Sequence, residues 1–427
     1  MPTEITISKA EKIVEDAEQA LQPQFKELER VAFLNQRRVL NAFRNNRVTE
    51  EYFAERTGYG IDDPARELID NVFAEVFQAE AAAVRMQIVS GTHALACALF
   101  GNLQSGDRLA CITGAPYDTL EKVIGYKVEE RGSLKTMGVE YVEGDAIDAQ
   151  LSPTQQEELL RQLLAPPTKI AYIQKSCGYS FTRASIGAQQ IRQLCELVKR
   201  INSECIIFVD NCYGEFVEES EPIAAGADLV AGSLIKNPGG GLAISGGYIA
   251  GKRQLVESSL IRLTAPGIGG HLGLTFNQNR LLLQGLFLAP SVVCNALKGA
   301  LLVAQVFQQM GFDVKPLPQE KRADIIQAIK LGEPKALVNF LRALQQFSPV
   351  NSHVVPEPAN MPGYEDKVVM AGGTFIEGAT IEFSADGPLR APFVAFVQGG
   401  LSYFHVKCAV AGTLEMGFSG EYPFLNP

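Results

Sequence analysis

Between residues 81 and 251 the chain repeats one alternation, a short β-rich apolar run followed by a stretch with helical spacing. The runs are AAAVR, DRLACIT, VEYVE, KIAYIQ, CIIFVD, ADLVAG and GGYIAG, and the helical stretches fall at about 92–100, 120–124, 155–164 and 186–200. Strands joined through helices call for right-handed crossovers, and so for a mostly parallel sheet covered on both faces. The expectation is an α/β domain of the doubly wound kind, in which ligands gather outside the carboxyl ends of the strands.

The flanks follow other patterns. Residues from about Lys9 to Asn45 place apolar side chains at helical intervals, which predicts a helical arm bent at Pro23. A glycine-rich joint, TGYGIDDP, precedes the helix start at ARELIDNVF. A long helical region from about Phe276 to Met310 leads into a helix, VNSHVV, KVVMAGGTF, TIEFSA and an apolar tail, which together predict a smaller α+β domain. At 427 residues the chain exceeds one core, and the boundaries read as an arm over 1–56, a large domain over 57–290 and a small domain over 291–427.

No apolar run reads as long enough to span a bilayer. The net charge of -10 and pI near 5.2 speak against a nucleic-acid surface and leave small molecules as the expected ligands. The opening MPTEITISKAEKIV has acids and no apolar core, so a cytoplasmic location is expected. Eight cysteines without a C-x-x-C pair read as reduced core residues, and four histidines without ligand spacing give no support to metal chemistry.

The residues just after the strands form a set. Ser90-Gly91-Thr92-His93 opens a helix whose unpaired amides suit a phosphate. Tyr117 follows the second run and Asp210-Asn211-Cys212-Tyr213 the fifth; Ser233 and Lys236 follow ADLVAG, in SLIKNPGGG. A helix-end phosphate cradle, a strand-end carboxylate and a strand-end lysine are the parts that bind pyridoxal phosphate, the lysine as a Schiff base and the carboxylate on the ring nitrogen. The glycines after Lys236 would leave room for the cofactor and for close turns. A nucleotide P-loop is not expected, because its glycines precede the lysine and here they follow it. Each residue also has a plainer use: Lys236 on a surface loop, Asp210 and Ser90 as caps, Tyr117 and Tyr59 as packing, His93 bonded to backbone at a helix start.

The run GADLVAGSLIK, with DNCYG beginning 26 positions before its lysine and SGTHA upstream, resembles the fold-type-I pyridoxal-phosphate enzymes of the cystathionine/methionine gamma-lyase group. RTGYGIDD, SGTHALACALFG, GAPYDTLEKVIG, DNCYGEF and RAPFVAFVQGGLSY are similar to the branch called aluminium-resistance, or methionine gamma-lyase-like, proteins. The resemblance implies that Lys236 is the aldimine lysine and Cα base and that Asp210 pairs the ring nitrogen. It implies that Ser90, Gly91, Thr92 and Ser233 hold the phosphate and that Tyr117 stacks on the ring; His93, from its place in the sequence, reads either as a cofactor-binding residue near the ring or as a helix-start residue bonded to backbone. Tyr59 would serve a neighbouring subunit, which implies a homo-oligomer, dimer or tetramer. Where the lyases have Tyr-x-Arg this chain has Tyr59-Gly60-Ile61, and where they have a threonine before the lysine it has Ile235. Arg66 is one candidate to replace the missing arginine.

A substrate carboxylate needs an arginine fork, for which Arg390 is the first candidate and Arg183 the second. The expected activity is carbon-sulfur elimination from a sulfur amino acid, with Lys236 moving protons and Tyr117 protonating the departing sulfur. Aldol cleavage with His93 as base, another amino-acid reaction on the same cofactor, and a non-catalytic protein that keeps the fold are the alternatives.

Overall fold

The computed structural model of the chain describes residues 8–127 and 130–425. The first seven residues, part of the stretch read above for a leader, lie outside them. Helix α1 (Lys9–Ala20) opens on a capping box in which Ser8 Oγ accepts from Glu11 N–H and the Glu11 carboxylate accepts from Ser8 N–H. Helix α2 (Gln22–Asn45) follows directly. The break falls at Leu21 and not at Pro23, which sits in the first turn of α2, where its missing N–H is no loss. Helix α3 (Pro64–Val76) starts as expected, with Asp63 accepting from the amides of Ala65 and Arg66.

The alternation then unfolds as β1 (Ala81–Arg85), α4 (Gly91–Asn102), β2 (Arg108–Cys111), α5 (Asp118–Ile124), β3 (Glu140–Glu143), α6 (Pro153–Leu163), β4 (Thr168–Gln174), α7 (Ala188–Ile201), β5 (Ile206–Asp210), β6 (Leu229–Ser233), β7 (Gly247–Gly251) and α8 (Arg253–Leu263). The seven strands form one sheet in the order β1-β7-β6-β5-β4-β2-β3. Strands β2 to β6 run parallel, while β7 is antiparallel to both β6 and β1. Two reversals leave β1 pointing the same way as β6, so the carboxyl ends of β1, β4, β5 and β6 share one edge. The core on this sheet includes Ala83, Leu95, Tyr172, Phe208, Leu229 and Ile249.

The remainder comprises α9 (Asn279–Gln309), β8 (Asp313–Lys315), β9 (Gln327–Lys330), α10 (Pro334–Gln345), β10 (Val368–Ala371), β11 (Ser384–Pro388), β12 (Val394–Gln398) and α11 (Tyr403–Ser419). Its sheet, β10-β11-β12-β9-β8, is antiparallel throughout. VNSHVV forms no strand, and the strand expected at TIEFSA lies further along, at Ser384–Pro388. Helix α9 corrects a reading of the sequence: it is long and apolar enough to cross a membrane, yet 72% of its most apolar window is buried within the protein, as in a core helix.

Two compact units result. One holds the chain up to Leu34, the short segment Tyr179–Ala184 and everything from Pro290; the other holds Asn35–Gly178 and Ser185–Ala289. The arm expected over 1–56 is therefore shared between them. In the first unit Ala10, Val14 and Ala17 of α1 join Val410 and Leu414 of α11 in one core, and Tyr179 packs on Tyr364 and Phe396 with ring centroids 5.6 and 5.2 Å apart. The larger unit carries the strand-end residues.

Candidate active site

Three chain segments that leave the shared sheet edge, those after β1, β5 and β6, meet at Gly91. A Cβ there would lie 3.2 Å from Cys212 Sγ, 3.3 Å from Ser233 Cβ and 3.9 Å from Lys236 Nζ. The missing side chain is what lets the start of α4 approach the turns after β5 and β6. Ser90 caps that helix, its Oγ accepting from His93 N–H at 3.1 Å. The amides of Gly91 and Thr92 occupy the first turn, where a helix offers N–H groups to an anion.

Asp210 ends β5 and is 4% exposed. Its Oδ1 accepts from Cys212 N–H at 3.0 Å and its Oδ2 from the Tyr172 hydroxyl at 3.2 Å. Burial raises the pKa of the Asp210 carboxyl, against the pull of Lys236 and of these donors. Burial also works against a charge on Lys236, but the acidic groups around it, Cys212, Tyr213, Asp210 and Tyr117, outweigh burial and push its pKa well up. The amine stands 3.9 Å over the centroid of the Tyr213 ring.

Tyr117 precedes α5. Its hydroxyl shares a 2.8 Å hydrogen bond with Thr92 Oγ1, which also lies 3.2 Å from Thr119 Oγ1. Its backbone N–H donates to Gln174 Oε1 at the end of β4, 2.9 Å away. Burial pushes the Tyr117 phenol well above its ordinary range, so it keeps its proton at neutral pH. The Nδ1 of His93 accepts from Val89 N–H at 3.2 Å. The neutral ring therefore carries its proton on Nε2, and burial lowers its pKa. Ser233, 2% exposed, completes the cluster.

The structure thus brings Ser90, Gly91, Thr92, Tyr117, Asp210, Ser233 and Lys236 together, with His93 beside them. Tyr59 stands outside: it is 79% exposed, and its carbonyl accepts from Gly273 N–H. Arg66 is no replacement for the missing arginine. It is 2% exposed and spends its guanidinium on the carbonyls of Gly60, Gly273 and His271. Arg183 and Arg390 belong to the other unit, where Arg390 pairs with Asp366 at 3.3 Å. Tyr172 is an addition that sequence alone does not single out, and Tyr213 belongs to the strand-end set without a role read from the sequence. The alternation places Tyr172 on a central strand and Tyr213 three residues after Asp210, but their contacts depend on tertiary packing.

These groups fit pyridoxal phosphate: a lysine amine, a buried carboxylate already oriented by two donors, a helix start without a side chain at its first residue, and a protonated tyrosine. Comparison with known proteins points the same way. The chain matches the methionine gamma-lyase family over residues 10–417. It is 47% identical over 391 residues to YnbB of Bacillus subtilis, itself uncharacterised, covering 91% of this chain and 92% of that one. A Listeria monocytogenes structure, provisionally named a cystathionine beta-lyase involved in aluminum resistance, superposes with a TM-score of 0.90 at 45% identity, covering 95% of this chain and 99% of that one. A Clostridium novyi structure described as a carbon-sulfur lyase involved in aluminum resistance gives 0.89 at 43% identity and 95% coverage of both chains. The fold alone extends to a Xanthomonas oryzae cystathionine gamma synthase, at 17% identity and a TM-score of 0.58, covering 84% of this chain and 87% of that one. The chain belongs to the methionine gamma-lyase family, on the fold of type-I pyridoxal-phosphate enzymes.

Proposed function

We propose that this protein is a pyridoxal-phosphate-dependent lyase that breaks a carbon-sulfur bond in a sulfur-containing amino acid. The observation that carries the reading is the meeting of Lys236 Nζ, Gly91 and the turn after Asp210 at one sheet edge. Ser90, Gly91, Thr92 and Ser233 would hold the phosphate, Asp210 the ring nitrogen, and Lys236 the carbonyl carbon, with Tyr117 and His93 against the ring. When bound, the cofactor supplies an electron sink for the charge left at Cα.

The chain's own residues do the rest. The Lys236 amine removes the proton at Cα and, for a leaving group on Cγ, moves a second proton at Cβ. The Tyr117 hydroxyl, protonated at neutral pH and oriented by Thr92, gives its proton to the departing sulfur. Arg390, or Arg183 in its place, would fork the substrate carboxylate. Because Val89 N–H occupies the Nδ1 lone pair of His93, neutral His93 has no free lone pair to act as a base. That favours elimination over aldol cleavage. The active protein would be a cytoplasmic homo-oligomer in which Tyr59 serves a neighbouring subunit.

The test is borohydride reduction of the cofactor-supplemented protein, followed by peptide mass spectrometry and by assay of thiol and 2-oxo acid from cystathionine and methionine. The expected result is a pyridoxyl group on the Lys236 peptide, none on the chain in K236A, and thiol release that K236A abolishes. Glycine and an aldehyde as products would instead support aldol cleavage. A loaded protein that turns over no amino acid would support a non-catalytic role.

A further inference from the structure

Tyr213 offers its ring face to the Lys236 amine against its own backbone preference. Its φ is +69°, a left-handed conformation that a bulky residue adopts only where its surroundings impose it. Here the surroundings are a second lysine. Gly214 N–H closes a turn on Asn211 O at 2.9 Å, and Gly214 O accepts from Lys175 Nζ at 3.2 Å. Lys175 is 1% exposed and its Nζ lies 3.5 Å from Glu218 Oε2. A Cβ on Gly214 would fall 2.5 Å from Lys175 Cδ. The buried Lys175 therefore pins the turn that presents the ring to Lys236, well inside the roughly 6 Å over which an aromatic face attracts a cation.

We propose that Tyr213 is a positioning residue whose ring faces the Lys236 amine when that amine is not bonded to the cofactor, and stabilises it whenever it carries a proton. The inference rests on Lys236 being the cofactor lysine, and it explains how the amine can keep a proton in a crowded site. Asp210 already accepts from Tyr172 and Cys212 and is committed to the ring nitrogen. An aromatic face stabilises an ammonium and, unlike a carboxylate, cannot take the proton from it. The proton stays on Lys236 for return to the substrate.

The test uses the cofactor-free protein and two labelling rates read by mass spectrometry. The first is acylation of Lys236 at pH 8 in wild type, Y213F and Y213L; the second is alkylation of the thiol in K236C with and without Y213L, which reports access alone. Loss of the ring should raise the unprotonated fraction of Lys236, so Y213L should acylate about 2- to 30-fold faster than wild type. Y213F, which keeps the ring, should stay at the wild-type rate, and the K236C rate should not respond to Y213L. If Y213L acylates at the wild-type rate, if Y213F accelerates as much as Y213L, or if K236C alkylation rises by the same factor, the proposal is wrong. Y213M replaces Y213L if the latter does not fold. Neither rate requires cofactor uptake, so the pairing can fail while Lys236 still takes up pyridoxal phosphate, and the reverse.

Discussion

Glu215, on the chain between Asp210 and Lys236, is a carboxyl with no solvent exposure. Its Oε1 accepts from the Tyr248 hydroxyl at 2.8 Å, and its backbone carbonyl accepts from Asn237 Nδ2, next to Lys236, at 2.9 Å. Burial pushes its pKa up from 4.5 to about 8. Between those values the folded chain keeps a proton that the unfolded chain has lost, so this group lowers stability as pH rises from about 4.5 to about 8. E215Q, which cannot ionise, should remove that slope and be more stable than wild type by a few kcal/mol, of order, at pH 8. Denaturation midpoints of both proteins from pH 5 to pH 8 check this; parallel curves would contradict it. Glu215 also marks where reading a sequence stops. Ser90, Asp210, Ser233 and Lys236 are legible because each ends a recognisable strand or lies a few residues beyond one, and strand ends share an edge. Glu215, Tyr172 and Tyr213 take their surroundings from segments tens of residues away, and no local pattern carries that information.

The elements show the same contrast. The parallel sheet is legible because apolar runs and helical stretches alternate at every step, whereas β11 is a wholly buried strand made of Ser, Ala, Asp, Gly and Pro, residues with little intrinsic preference for a sheet. Strands β8 and β9 are three and four residues long and too short to show a period. The glycines after Lys236 also have a use that the sequence hides. A Cβ on Gly240 would come within 2.2 Å of Gly285 O, and one on Gly285 within 2.2 Å of Gly239 O. The room they leave is filled by the backbone of α9, so the turn that carries Lys236 is seated directly on a helix. G285A should therefore cost about 3 kcal/mol, the upper end for overpacking, because backbone on both sides leaves nothing flexible to yield. It should also reduce pyridoxyl labelling of Lys236. Thermal unfolding and borohydride labelling of G285A measure the two effects; wild-type values for both would show that the contact can relax.

At the scale of the whole molecule, the joint around Tyr59 is hydrogen-bonded through its backbone yet exposes apolar side chains. Arg66 clasps its carbonyls from below, while Tyr59, Ile61 and Phe276 are 79%, 62% and 58% exposed. If this joint completes a neighbouring subunit's phosphate site, charges introduced there should undo both assembly and cofactor retention. We expect I61D combined with F276D to lower the mass found by light scattering and to weaken pyridoxal phosphate binding at least tenfold, about 1.4 kcal/mol. An unchanged mass would place the subunit contact elsewhere. The path of the chain between its two units has a consequence of its own. It passes from one unit to the other after Leu34, Gly178, Ala184 and Ala289. No single cut yields both units whole: a fragment ending at Ala289 carries Tyr179 without Tyr364 and Phe396, and the rest lacks α1. Neither unit is one continuous segment, so joining the chain at a single point cannot exchange either of them for an unrelated domain.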